Sequence, residues 1–283
     1  MALNKFIKEV WSAKILVSFH DNAVVTGTVD RDYEQDAVGA RRVHIPGVVP
    51  VEVKDYATGV ALDADGDPIA RTTEPDEITD TGVDLDLDQE KSFDFLVDDI
   101  DAAQSNPKVM GAYTDSAARG LNRDADKSLL ALAVTSGRTL AGSTAATDAK
   151  TAWNIIRDLA KELDKAEVPE DERFAVVNAE FAALLREHDS KITKANESGS
   201  TAGLRRATLG EILNFTVLQS SNLPQKDKPQ VTAYHTSALA FASQIQKTEA
   251  MRAEKKFADR VRGLHVYGHK VLNSTGVVTY TGA

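Results

Sequence analysis

Asp63, Asp65 and Asp67 stand at alternate positions, with Glu74 at the twelfth position counted from Asp63. That is the oxygen-ligand skeleton of an EF-hand calcium loop. The loop chemistry needs a sharp turn at the sixth position, where this chain has Pro68, and a β-branched residue at the eighth, where it has Ala70. No helical pattern flanks the segment. A solvated hairpin tip is the expected structure, and a soluble calcium-binding module is kept as an alternative reading. His265 and His269 are four apart, a zinc-ligand spacing on a helix, but the residues around them read as strand. Two rings on one strand face do not converge on a metal, and no third ligand stands out. Ordinary surface or interface histidines are expected there.

Other reactive constellations are missing from the sequence. GSTAG at 199–203 lacks the spacing and the strand of a Gly-x-Ser-x-Gly nucleophile elbow. Neither a Gly-x4-Gly-Lys-Ser/Thr loop nor a Gly-x-Gly-x-x-Gly fingerprint occurs. Acidic neighbours such as Asp98 and Asp99 lie in a generally acidic stretch and single out no acid–base pair. There is no cysteine, hence no disulfide, thiol chemistry or cysteine-held metal. Trp11, Trp153 and the tyrosines fit packing. No catalytic residue, cofactor or metal is expected, and the chain reads as a non-enzyme.

The elements that position these residues centre on one stretch, Asn106 to Ser136. Asn106 and Pro107 suit the start of a helix. Val109, Tyr113, Ala117, Leu121, Ala125 and Leu129 recur every four residues along one side. A helix over 106–136 would span about 45 Å. Before it, residues 3–18 pattern as an amphipathic helix (Leu3, Phe6, Ile7, Val10, Trp11) broken by charges, unlike a signal-peptide core. Residues 19–40 read as an extended arm. Residues 45–95 read as a long two-stranded excursion with its turn at Asp65-Gly66. Within it, Val83, Leu85 and Leu87 alternate with Asp84, Asp86 and Asp88. Such a ribbon is marginal alone and needs another surface to lie on.

After the long helix, GRTLAGSTAATD reads as a linker, and Thr147 or Asp148 can cap a second helix striped by Ala152, Ile155, Ile156, Leu159 and Leu163. Strands are predicted at Phe174–Asn178, Phe215–Gln219, Thr232–Tyr234 and Val277–Tyr280, with a short helix at Ala179–His188. Ser190–Arg206 reads as mobile. Val261, Leu264, Val266 and Val271 suggest strands in the basic stretch from Lys247 to Lys270. Helices and strands mix without regular alternation, so the class is α+β.

The net charge of −10 is unevenly spread. Glu52 to Asp101 holds 17 acidic and three basic residues, a local −14, so the remainder sums to +4. An acidic arm on a mildly basic body can attract copies of itself. The acidic balance argues against a dedicated nucleic-acid binder. No window approaches the ~18 apolar residues of a membrane span.

This order of parts, with FIKEVWSAKIL at 6–16, VPVEVKDY at 49–56, RFAVVNAEFAALL at 173–185, SSNLP at 220–224 and ADRVRGLHVYGHKVL at 258–272, resembles the major capsid proteins of tailed bacteriophages. Those have the Hong Kong 97-type fold. The resemblance implies an N-terminal arm (1–40), a β-hairpin E-loop (41–95) and a peripheral domain (96–170) with a spine helix (106–136). It further implies an axial domain (171–244) and a return to the peripheral domain (245–283). It implies self-assembly as hexamers and pentamers into an icosahedral virion shell made in the bacterial host cytoplasm. DNA would be enclosed without sequence specificity, and the partners would be scaffolding, portal and decoration proteins. Since the chain starts at the arm, a separate scaffold or none is expected. No Lys–Asn cross-link motif is matched. The expected subunit-interface residues are Trp11, Asp84, Asp86, Asp88, Arg119, Arg260 and Arg262, with Lys256 as a further basic partner for the acidic loop. Shell stability would then fall with salt. An encapsulin-type nanocompartment shares this fold and is the leading alternative.

Overall fold

The structure is a computed structural model, and it describes residues 24–47, 65–66, 82–98, 108–142, 145–186, 208–253 and 256–282. In chain order its helices are α1 (Glu34–Ala37), α2 (Lys108–Ser136), α3 (Ala149–Lys165) and α4 (Ala179–Leu185). The strands are β1 (Arg42–Ile45), β2 (Val83–Asp86), β3 (Gln89–Asp98), β4 (Arg138–Thr139), β5 (Arg173–Val177), β6 (Thr208–Ile212) and β7 (Phe215–Gln219). They continue with β8 (Gln230–His235), β9 (Leu239–Arg252), β10 (Ala258–Val271) and β11 (Val277–Thr281). Two compact units divide at Val43/His44 and Asp84/Leu85.

Six strands form the main sheet, in the order β4-β11-β8-β5-β7-β6. Alternation along β5 decides its two faces. Ala175 and Val177 join one core, while Phe174 and Val176 join the other. On the first face lies α3. Asp148 caps it by accepting from the Thr151 amide at 2.7 Å, and the Thr151 hydroxyl accepts the Asp148 amide in return. Its predicted stripe, Ala152, Ile155, Ile156, Leu159 and Leu163, is buried throughout. Asn178 caps α4 onto the same core and also accepts from the Gln230 amide.

The other face is covered by α2. Of its predicted apolar line, Leu121, Ala125 and Leu129 are buried, joined by Leu130 and Ala133. Truncating Leu129 or Leu130 to Ala should cost about 2–5 kcal/mol, the usual range for a closed core. Gly137 follows the helix, and the position admits no side chain, because a Cβ there would lie 2.6 Å from the Ala133 carbonyl oxygen and 2.7 Å from Val277 Cγ1.

Beside it runs a three-stranded sheet, β3-β10-β9. Strands β9 and β10 hold 14 residues each, so the hairpin is roughly 48 Å long. Phe93 lies over Gly263, where a Cβ would run into the ring, and a Cβ on Gly268 would run into the Asp86 carbonyl.

Several expectations need correcting. Residues 24–40 are not an extended arm: Val25, Thr26 and Val29 are buried beneath α2 and Tyr234. Asp126 on α2 is buried and takes the Thr26 amide at 3.1 Å, while the Thr28 hydroxyl meets the Tyr234 hydroxyl at 2.7 Å. Polar side chains here hold the chain down, a signal that apolar periodicity cannot show. The excursion does not run as a ribbon to 95, because β3 pairs with β10 over Gln89–Asp98. The presumed linker after α2 contains β4, parallel to β11. Small residues from Leu239 to Ala242 start a 14-residue strand. The main sheet also crosses the expected 170/171 boundary, since α3 packs on β5 and β11 pairs β8.

Burial raises the Asp126 carboxyl above its ordinary pKa, against the backbone amides of Thr26, Val25 and Val24 that favour its charge. Asp126→Ala should therefore expose the Val24–Val29 turn to proteases. Asp126→Asn retains an acceptor and should resist as the parent does. Equal cleavage of all three in timed proteolysis would show that the carboxylate does not hold the turn.

Candidate assembly surfaces

On the exposed half of the three-stranded sheet, cross-strand partners share a face. Leu96, Arg260 and Met251 are in one row, and Asp94, Arg262 and Glu249 are in the next. Arg260 grips Asp94 through both Nε and Nη2, and Arg262 donates to Glu249 at 2.6 Å. The Arg260 hydrogen bond holds the Asp94 carboxyl below the usual carboxylate range. At the hairpin end Arg252 meets Asp259 at 3.2 Å. Leu96, Met251 and Phe257 are exposed around these pairs, Phe257 at 80%.

The acidic stretch also finds partners within its own chain. Arg42 Nε reaches Asp86 at 2.5 Å, and His44 Nδ1 lies 2.8 Å from Asp84. Asp88 is exposed and accepts from the Gln89 side chain. Asp65 lies in a turn and Gly66 holds φ +87°. Asp63, Asp67, Glu74, Trp11 and the 190–206 segment lie outside the described residues. Arg119 is exposed on α2, in line with Arg123 and Lys127. The sequence reading missed those two, although their spacing of four from Arg119 was visible.

The histidines differ from expectation. His265 is fully buried, its ring 5.1 Å from that of Tyr267, in register with Lys91 on β3. His269 is half-buried and meets the Ser128 hydroxyl at 2.6 Å. The Tyr267 hydroxyl donates to Asp124 at 2.8 Å, and Lys91 approaches the same carboxylate at 3.5 Å. Thus α2 is joined to β10 by a polar seam. Alternating strand residues 265, 267 and 269 face the helix, where sequence alone suggested surface. Among the described residues, no group of acidic or imidazole side chains is arranged to hold a metal. No described helix is long and apolar enough to cross a membrane.

This long helix, backed by a three-stranded sheet and joined to a six-stranded one, is the fold of capsid shell proteins. Solved structures share it at low identity. The capsid structure of the Cyanophage P-SCSP1u matches with TM-score 0.64 at 13% identity, over 86% of this chain and 84% of that one. A virus-like particle from Pyrococcus furiosus matches with TM-score 0.62 at 8% identity, over 99% and 100%. The chain belongs to the phage capsid protein family, whose sequence profile matches residues 85–280. A structure from Mycobacterium phage Che8 is similar at 45% identity over 92% of both chains, with TM-score 0.76. A search of curated proteins found no match.

Proposed function

We propose that this chain is the major capsid protein of a tailed phage, assembling as hexamers and pentamers into the icosahedral shell around double-stranded DNA. One observation carries the reading: 45% identity to the Mycobacterium phage Che8 chain over 92% of both. The fold by itself does not fix the role, because a virus-like particle from Pyrococcus furiosus shares it at 8% identity. The role is structural and non-catalytic, with copies of itself as the main partner. Assembly takes place in the host cytoplasm, with scaffolding, portal and decoration proteins as further partners.

In this reading α2 is the spine helix, the 44–84 unit belongs to the E-loop, and the six-stranded sheet forms the axial part. The apolar side chains at the β9–β10 end suit contact between copies. Of the expected interface residues, Arg260 and Arg262 serve first to stiffen the hairpin, Asp84 and Asp86 already have His44 and Arg42, and Asp88, Arg119 and Trp11 stay as contact candidates.

Negative-stain microscopy with sedimentation tests the reading. Closed shells, tubes, or rings of five or six are expected from the purified chain, with or without a scaffold. A monomer under every condition would overturn it. Shells should also loosen between low and high salt, since exposed pairs are screened within ~10 Å. Salt-indifferent shells would remove the charge-pairing part alone.

A further inference from the structure

The face of α2 opposite Leu121, Ala125 and Leu129 carries Arg119, Arg123 and Lys127, all exposed. Four residues separate each from the next, so the three charges form a row of about 12 Å. Beside the row a cleft of about 400 Å³ opens between α2 and the loop at Ser221–Lys226. Lys226 faces Lys127 and Arg123 across it, and Arg123 Nε donates to the Asn222 side-chain oxygen at 3.3 Å, leaving that amide's N–H groups to donate. Among the described residues Asp124 is the only acidic one lining the cleft, and its carboxylate is taken by Tyr267 and Lys91. What is presented is a set of donors and positive charges on a chain whose net charge is −10.

We propose that this cleft, with the Arg119–Arg123–Lys127 row, contacts the phosphodiester backbone of the enclosed duplex DNA. The inference rests on the capsid reading and adds which surface faces the genome. Contacts of this kind position a duplex without reading its sequence, as a container requires. A 12 Å row matches the ~12 Å major groove that separates phosphate ridges. The rival occupant is the acidic excursion of a second copy. Its strand carboxylates Asp84 and Asp86 are already engaged by His44 and Arg42.

The test is fluorescence anisotropy of a mixed-sequence 24-base-pair duplex with the unassembled full chain, titrated over salt. Neutralising four phosphates should give a slope of log K on log salt of about −3 to −4. The Arg123→Gln/Lys127→Gln/Lys226→Gln variant should bind at least tenfold more weakly in 50 mM salt, with a slope near −1. Arg157→Gln, on the far helix α3, should match the parent. Absence of salt-dependent binding, or a triple variant that binds like the parent, overturns the proposal. So does a triple variant that keeps its DNA affinity and loses closed shells, which would assign the cleft to a second copy. Shell formation by the parent chain, scored in the same preparations, tests the capsid reading separately.

Discussion

Lowering the pH from 7 to 4.5 should cost the chain roughly 2–3 kcal/mol through His265. Burial against Tyr267 pushes its pKa down from 6.5 to about 4, and the nearby Asp124 carboxylate only partly opposes this. The groups around it are Asp124 on α2, Lys91 on β3, and Tyr267 and His269 on β10 itself. The unfolded chain takes up a proton near pH 6.5, while the folded chain resists until about 4. Stability from this group is therefore whole above 6.5, falls as the pH drops through the interval, and is gone below about 4. His269, lowered for the same reason, adds in the same direction. His265→Phe keeps a flat ring on Tyr267 and removes the titration. Urea unfolding at the two pH values should show most of the parent's acid loss disappearing in that variant. An unchanged pH dependence would clear His265 of the effect.

The second large effect is expected at Arg173, whose side chain is 2% exposed at the start of β5. It donates to Asp164 Oδ1 at 2.7 Å, to the Pro169 carbonyl at 2.6 Å and to the Val168 carbonyl at 2.5 Å. Those carbonyls lie in the turn after α3, where Glu167 and Glu172 hold φ of 56° and 50°, in the left-handed region. Such backbone persists only where neighbours over-determine it. Arg173→Ala removes the cation, leaves two carbonyls and a carboxylate unanswered, and opens a void below the turn. A loss of about 2–4 kcal/mol is expected, from two carbonyls left without their donor and from the vacated space. Asp164→Ala should lose well under half of that, since Asp164 is 57% exposed and the carbonyl contacts survive. Denaturant midpoints decide it. Equal losses would place the stabilisation in the ion pair and not in the turn.

What the sequence made legible follows from the physics of each element. The α3 stripe and its Asp148 cap were readable because an amphipathic helix repeats its apolar side and names its start. Strand β7 was readable as a bounded apolar run, Phe215–Gln219. Partnership was not readable. Nothing local tells Gln89–Asp98 to pair with β10 rather than continue a ribbon, because register over such separation is set by packing. Nor does periodicity reveal that Asp126, buried on α2, draws in residues 24–28. Of the expected interface charges, Arg260 and Arg262 could be named as strand residues, yet their in-chain partners Asp94 and Glu249 depended on that same unreadable register. The Arg119–Arg123–Lys127 row was visible as spacing, and only the opposite burial of Leu121, Ala125 and Leu129 gave it an outward direction.

One consequence of the main sheet concerns the timing of synthesis. Strand β11 lies inside the order, between β4 and β8, although it is made after all of them. A growing chain therefore holds β8 with an open edge until residues 277–281 leave the ribosome, on the order of tens of seconds after translation begins. Val277, Val278 and Tyr280 then bridge both cores at once. Subunits that meet as copies of one another are thus kept incomplete while they are still tethered to the ribosome.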